Sequence, residues 1–168
     1  MNFISKKFIQ FTAWTSLILM TAFFTGGCAS TDKPASASFA GVIISNHSPQ
    51  EIRTATDVVF MQNGYRALGE QGGALVYERE ATSREVREYA GIVGAHEGEK
   101  VDMRVRVKIE PKDPATNSYW LTAKAYAVCN PGQGVFETTT ALFNFQSGSY
   151  QKLLDKIKGT VGLPAVVP

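Results

Sequence analysis

The chain has 168 residues, with 17 Lys and Arg against 15 Asp and Glu, and its formal net charge is +2. A charge this close to zero argues against nucleic acid as a partner, because binding to a phosphate backbone depends on an excess of basic residues. The length suits one domain with a sizeable core and is too short for two comfortable domains. We find no internal repeat.

The first 27 residues have the order of a secretory signal. Lys6 and Lys7 stand near the start, and the segment from Phe8 to Gly27 is uncharged and largely apolar. Polar residues interrupt that segment, so it is a poor permanent span for a bilayer that requires roughly 20 apolar residues. We therefore predict a signal peptide over residues 1–27 rather than a transmembrane anchor.

Three small residues, 25 to 27, precede Cys28, which is one of two cysteines in the chain. This junction resembles the lipobox of bacterial lipoproteins, in which the cysteine is acylated, for example with palmitate, and the leader is cut just before it. The family usually has Leu where this chain has Thr25. Because Ala29 rather than Asp follows the cysteine, the resemblance implies the outer membrane of a Gram-negative envelope. The alternative is an ordinary Cys28 just past a conventional cleavage site.

Residues 28–38 comprise this cysteine and the stretch ASTDKPASAS, which is small, polar and without periodicity. Such a sequence predicts a flexible tether of about 18 Å. We predict a folded domain over residues 39–162 and a C-terminal tail over residues 163–168. Loss of the leader leaves 15 basic and 15 acidic residues, a net charge of zero. With Cys28 acylated, Cys129 has no disulfide partner in the chain, so stability must come from burial.

The first half of the domain predicts a strand, a helix and a hairpin. Residues 39–45, FAGVIIS, form an apolar strand, and Ser48 with Glu51 can form the capping box of a helix. The left-handed conformation available to Gly64 would end this helix. Residues 65–80 then predict two strands about a Gly-Gly turn. The buried face of the helix is predicted to contain Ile52, Ala55, Val59 and Phe60.

The second half predicts a short helix, three strands and a terminal helix. Residues 82–93 have apolar positions at helical spacing, and residues 101–110 and 119–129 alternate between apolar and polar, which is typical of half-buried strands. Residues 135–145 are rich in β-branched and aromatic types and predict a last strand. The terminal helix, closed by Gly159 or Gly162, would bury Tyr150, Leu153, Leu154, Ile157 and Val161.

The predicted order is β-α-β-β-(α)-β-β-β-α. Helices on one face of an antiparallel sheet whose other face is solvated give an α+β two-layer sandwich. In element order the domain is similar to BamC-like helix-grip modules of envelope lipoproteins.

Outward positions of the two long strands bring basic and aromatic side chains together on the face away from the helices. Two registers stay open, which place either Arg104 or Arg106 opposite Lys124. Arg, Trp and Tyr dominate interface energetics, so we predict that this face meets an acidic partner or anionic headgroups. The alternative is a merely solvated face. The candidate partner surface consists of Arg104, Arg106, Lys108, Trp120, Lys124 and Tyr126.

Signals for catalysis are weak. His47 and His96 have no companion at metal-ligand spacing. Ser149 and Lys152 match the S-x-x-K pattern of penicillin-binding enzymes, but the partner motifs of that family are absent. Cys129 has no base that the sequence identifies, and a small buried group is the simpler interpretation. We expect no enzyme, metal or cofactor, with a hydrolase as the open alternative.

Two function classes stay open for a domain that we expect to be monomeric. The first is a structural or assembly module that holds another envelope protein. The second is a carrier of a small ligand or lipid, because the inward alanines 123, 125 and 127 leave room for either a pocket or a close helix. An empty apolar cavity of a few hundred Å³ would favour the carrier, and a packed core would favour the module.

Overall fold

The computed structural model describes residues 39–96 and 98–163. The predicted signal peptide, Cys28, the tether and all of the tail except Leu163 lie outside the described residues. The strands are β1 Ala40–Ile44, β2 Arg66–Gln71, β3 Ala74–Glu80, β4 Val101–Asp113, β5 Ser118–Cys129 and β6 Thr138–Ala141. The helices are α1 Pro49–Gln62, α2 Ser83–Val93 and α3 Gly148–Thr160.

The strands form one antiparallel sheet in the order β1-β5-β4-β3-β2. Strand β6 also pairs with β5, beyond the end of β1. Buried residues of all three helices join the inward residues of the sheet in one core. The predicted α+β two-layer sandwich is confirmed, and its elements follow the predicted order.

Helix α1 begins and ends where the sequence predicts. The Ser48 side chain accepts a hydrogen bond from Glu51 N at 3.2 Å, and the Ser48 N–H donates to Glu51 Oε2 at 2.7 Å. At the other end Gly64 has φ +80°, and the Tyr65 ring meets Phe60 edge-on at 5.1 Å. The capping box therefore satisfies backbone groups that the first helical turn leaves unpaired. The predicted face is buried, including Ile52, Ala55, Val59 and Phe60.

Two further local predictions are confirmed. Gly72 and Gly73, with φ +57° and +71°, make the turn between β2 and β3. The helix predicted over residues 82–93 is α2, Ser83–Val93, which begins at a capping box formed by Thr82 and Glu85. The Glu85 carboxylate also accepts two hydrogen bonds from the Arg79 guanidinium, at 2.8 and 2.6 Å, which tie α2 to the end of β3.

The hairpin of β4 and β5 is longer than the sequence predicts. Strand β4 continues to Asp113, so the connection between the two predicted strands shrinks from residues 111–118 to a turn over Pro114–Thr116 that ends at Asn117 with φ +45°. The Asp113 carboxylate stabilises this turn by accepting hydrogen bonds from Ala115 N and Thr116 Oγ1 at 3.0 and 2.9 Å. The register places Arg106 opposite Lys124, one of the two predicted registers.

The prediction of a strand over residues 135–145 is wrong in extent. Strand β6 covers Thr138–Ala141 alone, and short 3-10 turns lie on both sides of it. After Ala141, β1 occupies the rest of the same edge of β5, from Tyr119 to Ala123, and before Thr138 there is no partner strand among the described residues, because β5 ends at Cys129, opposite Thr138. The aromatic residues of the segment therefore do not enter the sheet, and Phe136, Phe143 and Phe145 are exposed.

The core over the inward alanines is filled. Ala123, Ala125 and Ala127 are at most 1% exposed, and Leu154 and Ile157 of α3 are fully buried. Because alanine is small, α2 and α3 can contact β5 closely. Close packing of the helices therefore accounts for the small inward residues of β5, without the apolar cavity that a carrier would need.

The C-terminal end of α3 offers a stability prediction with an internal control. Gly162 has φ +82°, and a Cβ there would lie 3.0 Å from His47 Cε1, so we expect Gly162→Ala to lower the free energy of unfolding by about 1–2 kcal/mol. At Gly159, inside the helix, a Cβ would meet nothing within 4 Å. Gly159→Ala should raise stability by up to about 1 kcal/mol. Urea unfolding of both variants measures the difference, and equal effects would contradict it.

Candidate functional site

All six residues of the candidate partner surface lie on the face of the sheet opposite the helices. We call this the open face and define it by the outward residues of β3, β4 and β5. Lys108 and Lys124 are exposed, whereas Arg106, Trp120 and Tyr126 are half-buried. Arg104 differs from the others, because its side chain is only 19% exposed. The structure therefore brings the predicted residues together but gives them different surroundings.

Arg104 belongs to a charged network that sequence reasoning missed. Its Nε donates to Glu78 Oε2 at 2.7 Å, and its Nη1 donates to Glu137 Oε1 at 2.6 Å. Arg66 donates from the other side to Glu78 Oε1, also at 2.7 Å. Glu78 lies opposite Arg66 in β2 and opposite Arg104 in β4, so the strand register itself assembles the network. The charge of Arg104 is compensated within the domain.

The Glu78 carboxylate is held ionised although its residue is only 2% exposed. Burial on its own raises the pKa of Glu78, but hydrogen bonds from Arg66 and Arg104 outweigh burial and bring the pKa below its ordinary value. Hydrogen bonds from Arg104 and from Gly132 N–H likewise lower the pKa of Glu137. We infer that this network is structural and holds β2, β3, β4 and the segment before β6 together.

Asp102 also lies on the open face, but the pKa of its carboxyl is raised, whereas that of Glu78 is lowered. Its residue is 1% exposed, and burial raises the pKa of its carboxyl against the opposing effect of Lys100. Lys100 Nζ and Arg66 Nη2 lie 3.4 and 3.7 Å from its oxygens, and Oδ1 has no hydrogen-bond partner among the described residues. Sequence reasoning placed Asp102 on the wet side of β4, where the structure instead buries it.

Arg106 and Lys124 form the least compensated part of the open face. They are direct cross-strand neighbours. Arg106 Nη2 donates to the carbonyl oxygen of Gln71 at 3.2 Å, and in the part of the chain that the structure describes no carboxylate pairs with either side chain. Lys108, by comparison, lies 3.9 Å from a carboxylate oxygen of Glu110, with both side chains about half exposed. Two positive charges thus face solvent side by side.

The two aromatic members flank this basic pair along β5. Tyr126 lies opposite Arg104, and Trp120 lies opposite Glu110 on one side and Ile43 on the other. The indole Nε1 of Trp120 is buried and has no hydrogen-bond partner among the described residues. Trp usually finds such a partner when its N–H is buried, so the surroundings of Trp120 are incompletely satisfied within the domain.

A groove of about 360 Å³ opens at the rim of the sheet, beside the start of α1. Leu75, Val107 and Ile109 supply its apolar wall, and the ion pair of Arg53 and Glu70, at 3.0 Å, lies on its border. Its volume is at the lower end for small-molecule sites. The inward alanines of β5, over which the sequence left room for either a pocket or a close helix, are not among the residues that line it.

The residues considered for catalysis lie at separate places, at the end of β5 and at the two ends of α3. Cys129 is 3% exposed and its Sγ donates to Glu99 Oε2 at 3.4 Å, so burial and the neighbouring carboxylate both raise the pKa of the thiol and keep it protonated. Ser149 and Lys152 have exposed side chains in the first turns of α3. His47 lies beside Gly162 at the end of that helix.

Over residues 39–96 and 98–163, no three His, Cys, Asp or Glu side chains are grouped closely enough to hold a metal ion. Among the helices of this same part of the chain, none is long and apolar enough to cross a membrane. No protein-family model, curated protein or solved structure matches the sequence or fold of this chain.

Proposed function

We propose that this chain is a cell-envelope lipoprotein, tethered to a membrane through acylated Cys28, whose domain binds another envelope protein and catalyses no reaction. In a Gram-negative envelope the anchor would be in the outer membrane and the domain would face the periplasm. The anchor is supported by the lipobox-like junction at Cys28. The domain's role is supported by the open face.

The uncompensated pair of Arg106 and Lys124 is the observation that carries the interaction role. Like charges directly opposite each other in a sheet are destabilising. Elsewhere in the same sheet a basic residue is paired with acidic ones. Arg104, two residues before Arg106 in β4, donates hydrogen bonds to the carboxylates of Glu78 and Glu137. A basic pair left unmatched beside a matched network is explained if an acidic surface of a partner supplies the missing carboxylates.

The aromatic residues beside the pair fit the same role. Tyr and Trp are enriched among the residues that contribute most to binding energy, and they lose little conformational entropy on binding. Tyr126 and Trp120 are half-buried on either side of Lys124. An acidic partner would therefore meet charge at the centre of the open face and aromatic surface on both sides.

A charge reversal tests the interaction role directly. We expect Arg106→Glu with Lys124→Glu to reduce crosslinking of envelope partners in the native host by about tenfold or more, since interfacial charge pairs contribute about 1.5 kcal/mol or more. The matched control is Lys152→Glu with Lys156→Glu, an equal charge change at exposed positions of α3. Circular dichroism and melting of both variants should stay near wild type. Undiminished crosslinking in the first variant would refute this role for the open face.

A carrier of a small apolar ligand is the second candidate, because of the groove at the rim. Its test is binding of an environment-sensitive fluorescent fatty acid to the wild type and to Ile109→Arg, which puts a charge against the apolar wall. A carrier predicts saturable binding that this variant weakens by about tenfold. Binding that is absent, or equal in both proteins, would exclude the groove as the carrier site.

A further inference from the structure

Strands β1 and β6 lie end to end along one edge of β5. Ala141, the last residue of β6, is opposite Tyr126, and Ala40, the first residue of β1, is opposite Ala123. Both strands run antiparallel to β5 and therefore in the same direction as each other. Two residues of β5, 124 and 125, therefore lie between the part that pairs with β1 and the part that pairs with β6. The Leu142 N–H donates a hydrogen bond to the carbonyl of Ala125 and occupies part of that gap. The chain enters β1 and leaves β6 at the same place.

The entry point is fixed to the beginning of α3. The Phe39 ring lies 5.4 Å from the Tyr150 ring, and the Gln151 amide both donates to the Gly41 carbonyl and accepts from the Gly41 N–H, at 3.0 and 3.1 Å. These bonds also cover backbone groups of β1 at the outer edge of the sheet. The described chain therefore begins at a well-defined position, beside residues 142–147.

Phe143 and Phe145 stand at this position with their side chains in solvent. They are 53% and 83% exposed, and their rings stack on each other with centroids 5.7 Å apart and planes within 8°. The backbone that carries them is held, because the Phe143 N–H donates to Gln146 Oε1 at 2.8 Å. We call Phe143 and Phe145 the aromatic pair. Apolar rings held together in water by a fixed backbone present surface whose burial would be favourable.

The number of residues before Phe39 and the place where β1 begins indicate what covers the aromatic pair. Ten residues lie between Cys28 and Phe39, a segment that spans at most about 35 Å when fully extended. If Cys28 is acylated, as proposed above, the surface around Phe39 is held closest to the bilayer, and the aromatic pair belongs to that surface. Attachment raises the effective concentration of lipid at the pair, so a contact too weak for a free domain becomes occupied.

We propose that the aromatic pair inserts into the lipid interface and fixes the orientation of the domain on the membrane, an inference that rests on the proposed acylation of Cys28. Insertion of apolar side chains to about 5–10 Å is the usual mode of interfacial binding. The aromatic pair lies at the edge of the sheet rather than on the open face. Docking therefore leaves Arg106 and Lys124 free to meet a partner.

A second exposed apolar site provides the matched control. Val135 and Phe136, 94% and 71% exposed, lie before β6, whose first residue is opposite Cys129. Thr138, two residues after Phe136, is therefore displaced along the edge of β5 from the gap by four residues, about 13 Å. Phe136 has similar exposure and chemistry but a position farther from the tether. A contact set by the tether should involve Phe145 and not Phe136.

The experiment places a tryptophan at each site in the full chain. Wild type, Phe145→Trp and Phe136→Trp are purified from membranes in detergent and reconstituted into phosphatidylcholine vesicles with or without brominated acyl chains, which quench tryptophan only on contact. Subtracting wild-type emission removes the contribution of the native tryptophans. We expect brominated vesicles to reduce the remaining emission of Phe145→Trp about twofold and that of Phe136→Trp little, because only the first side chain reaches the acyl region.

Intact mass of each preparation reports acylation at Cys28 independently of quenching. Acylated Phe145→Trp protein whose introduced tryptophan is not quenched would overturn the docking proposal and leave the anchor intact. Quenching of Phe145→Trp in protein without acyl chains would overturn the anchor and, with it, the proposal that the tether sets this contact. A blue-shifted but unquenched emission from Phe145→Trp would show that protein, such as a second copy, covers the aromatic pair instead of lipid. Equal quenching of Phe145→Trp and Phe136→Trp would refute a contact set by the tether.

Discussion

Replacing Glu78 by Gln is expected to lower the free energy of unfolding by about 3 kcal/mol, because it weakens the charged hydrogen bonds from both Arg66 and Arg104 and leaves Arg104 with Glu137 alone. Glu78 is 2% exposed and lies between Arg66 and Arg104. Gln keeps the size of the side chain but supplies a neutral oxygen to two guanidinium groups. For a domain of this size the melting temperature should fall by about 10 °C. Urea and thermal unfolding of the two proteins measure both quantities.

Asp102→Asn is the control for this prediction, since Asp102 is equally buried on the same face but has a raised rather than a lowered pKa. A raised pKa means that burial makes the ionised carboxylate less favourable in the folded protein than in water, so a neutral amide removes that cost at neutral pH. We expect a change below about 1 kcal/mol, in either direction. A loss as large as that of Glu78→Gln would show that burial alone, and not pairing with arginine, sets the effect.

The difference between wild type and Glu78→Gln should also depend on pH. The pKa of Glu78 in the folded protein lies below its ordinary value of 4.5, so the carboxylate contributes its full stability above that value and loses it as the pH falls through the folded pKa. The gap in unfolding free energy should be constant between about pH 6 and 8 and should shrink below about pH 4. A gap that instead grows on acidification would contradict the assigned ionisation.

Much of the fold could be predicted because its signals are local. The capping boxes at Ser48 and Thr82 require only a hydroxyl and a carboxylate three residues apart, and the Gly72-Gly73 turn requires only positive φ. The extent of β6 could not be predicted in this way. It depends on which strand pairs with the other half of the β5 edge, and residues 135–145 contain no information about β1.

The same distinction applies to the candidate site. Alternation in β4 and β5 was sufficient to place Arg104, Arg106 and Lys124 on one face. It could not show that Arg104 is compensated, because Glu78 and Glu137 come from segments 26 and 33 residues away. The register of three strands decides which basic residues are matched, and with it which part of the open face is free to bind.

The anchor predicts an effect that is all or none. We expect wild-type protein to incorporate labelled palmitate and Cys28→Ser to incorporate none, because in the proposed anchor every acyl chain is carried by Cys28, on its thiol or on its new amino group. Cys129→Ser is the matched control: its Sγ is buried against Glu99, so the change should leave labelling unaltered. Several acyl chains hold a protein far more firmly than one. Unlabelled Cys28→Ser should therefore also be lost from the outer-membrane fraction.

The mass of the N-terminal peptide of protein extracted from its native membrane tests the proposed function most directly. We predict a chain that begins at Cys28, with its thiol carrying a diacylglyceryl group and its new amino group acylated. The open face and the aromatic pair would then belong to a domain held at the bilayer surface. An N-terminal peptide with an unmodified Cys28 thiol, whether or not residues 1–27 have been removed, would contradict the proposal that this protein is a lipid-anchored envelope module.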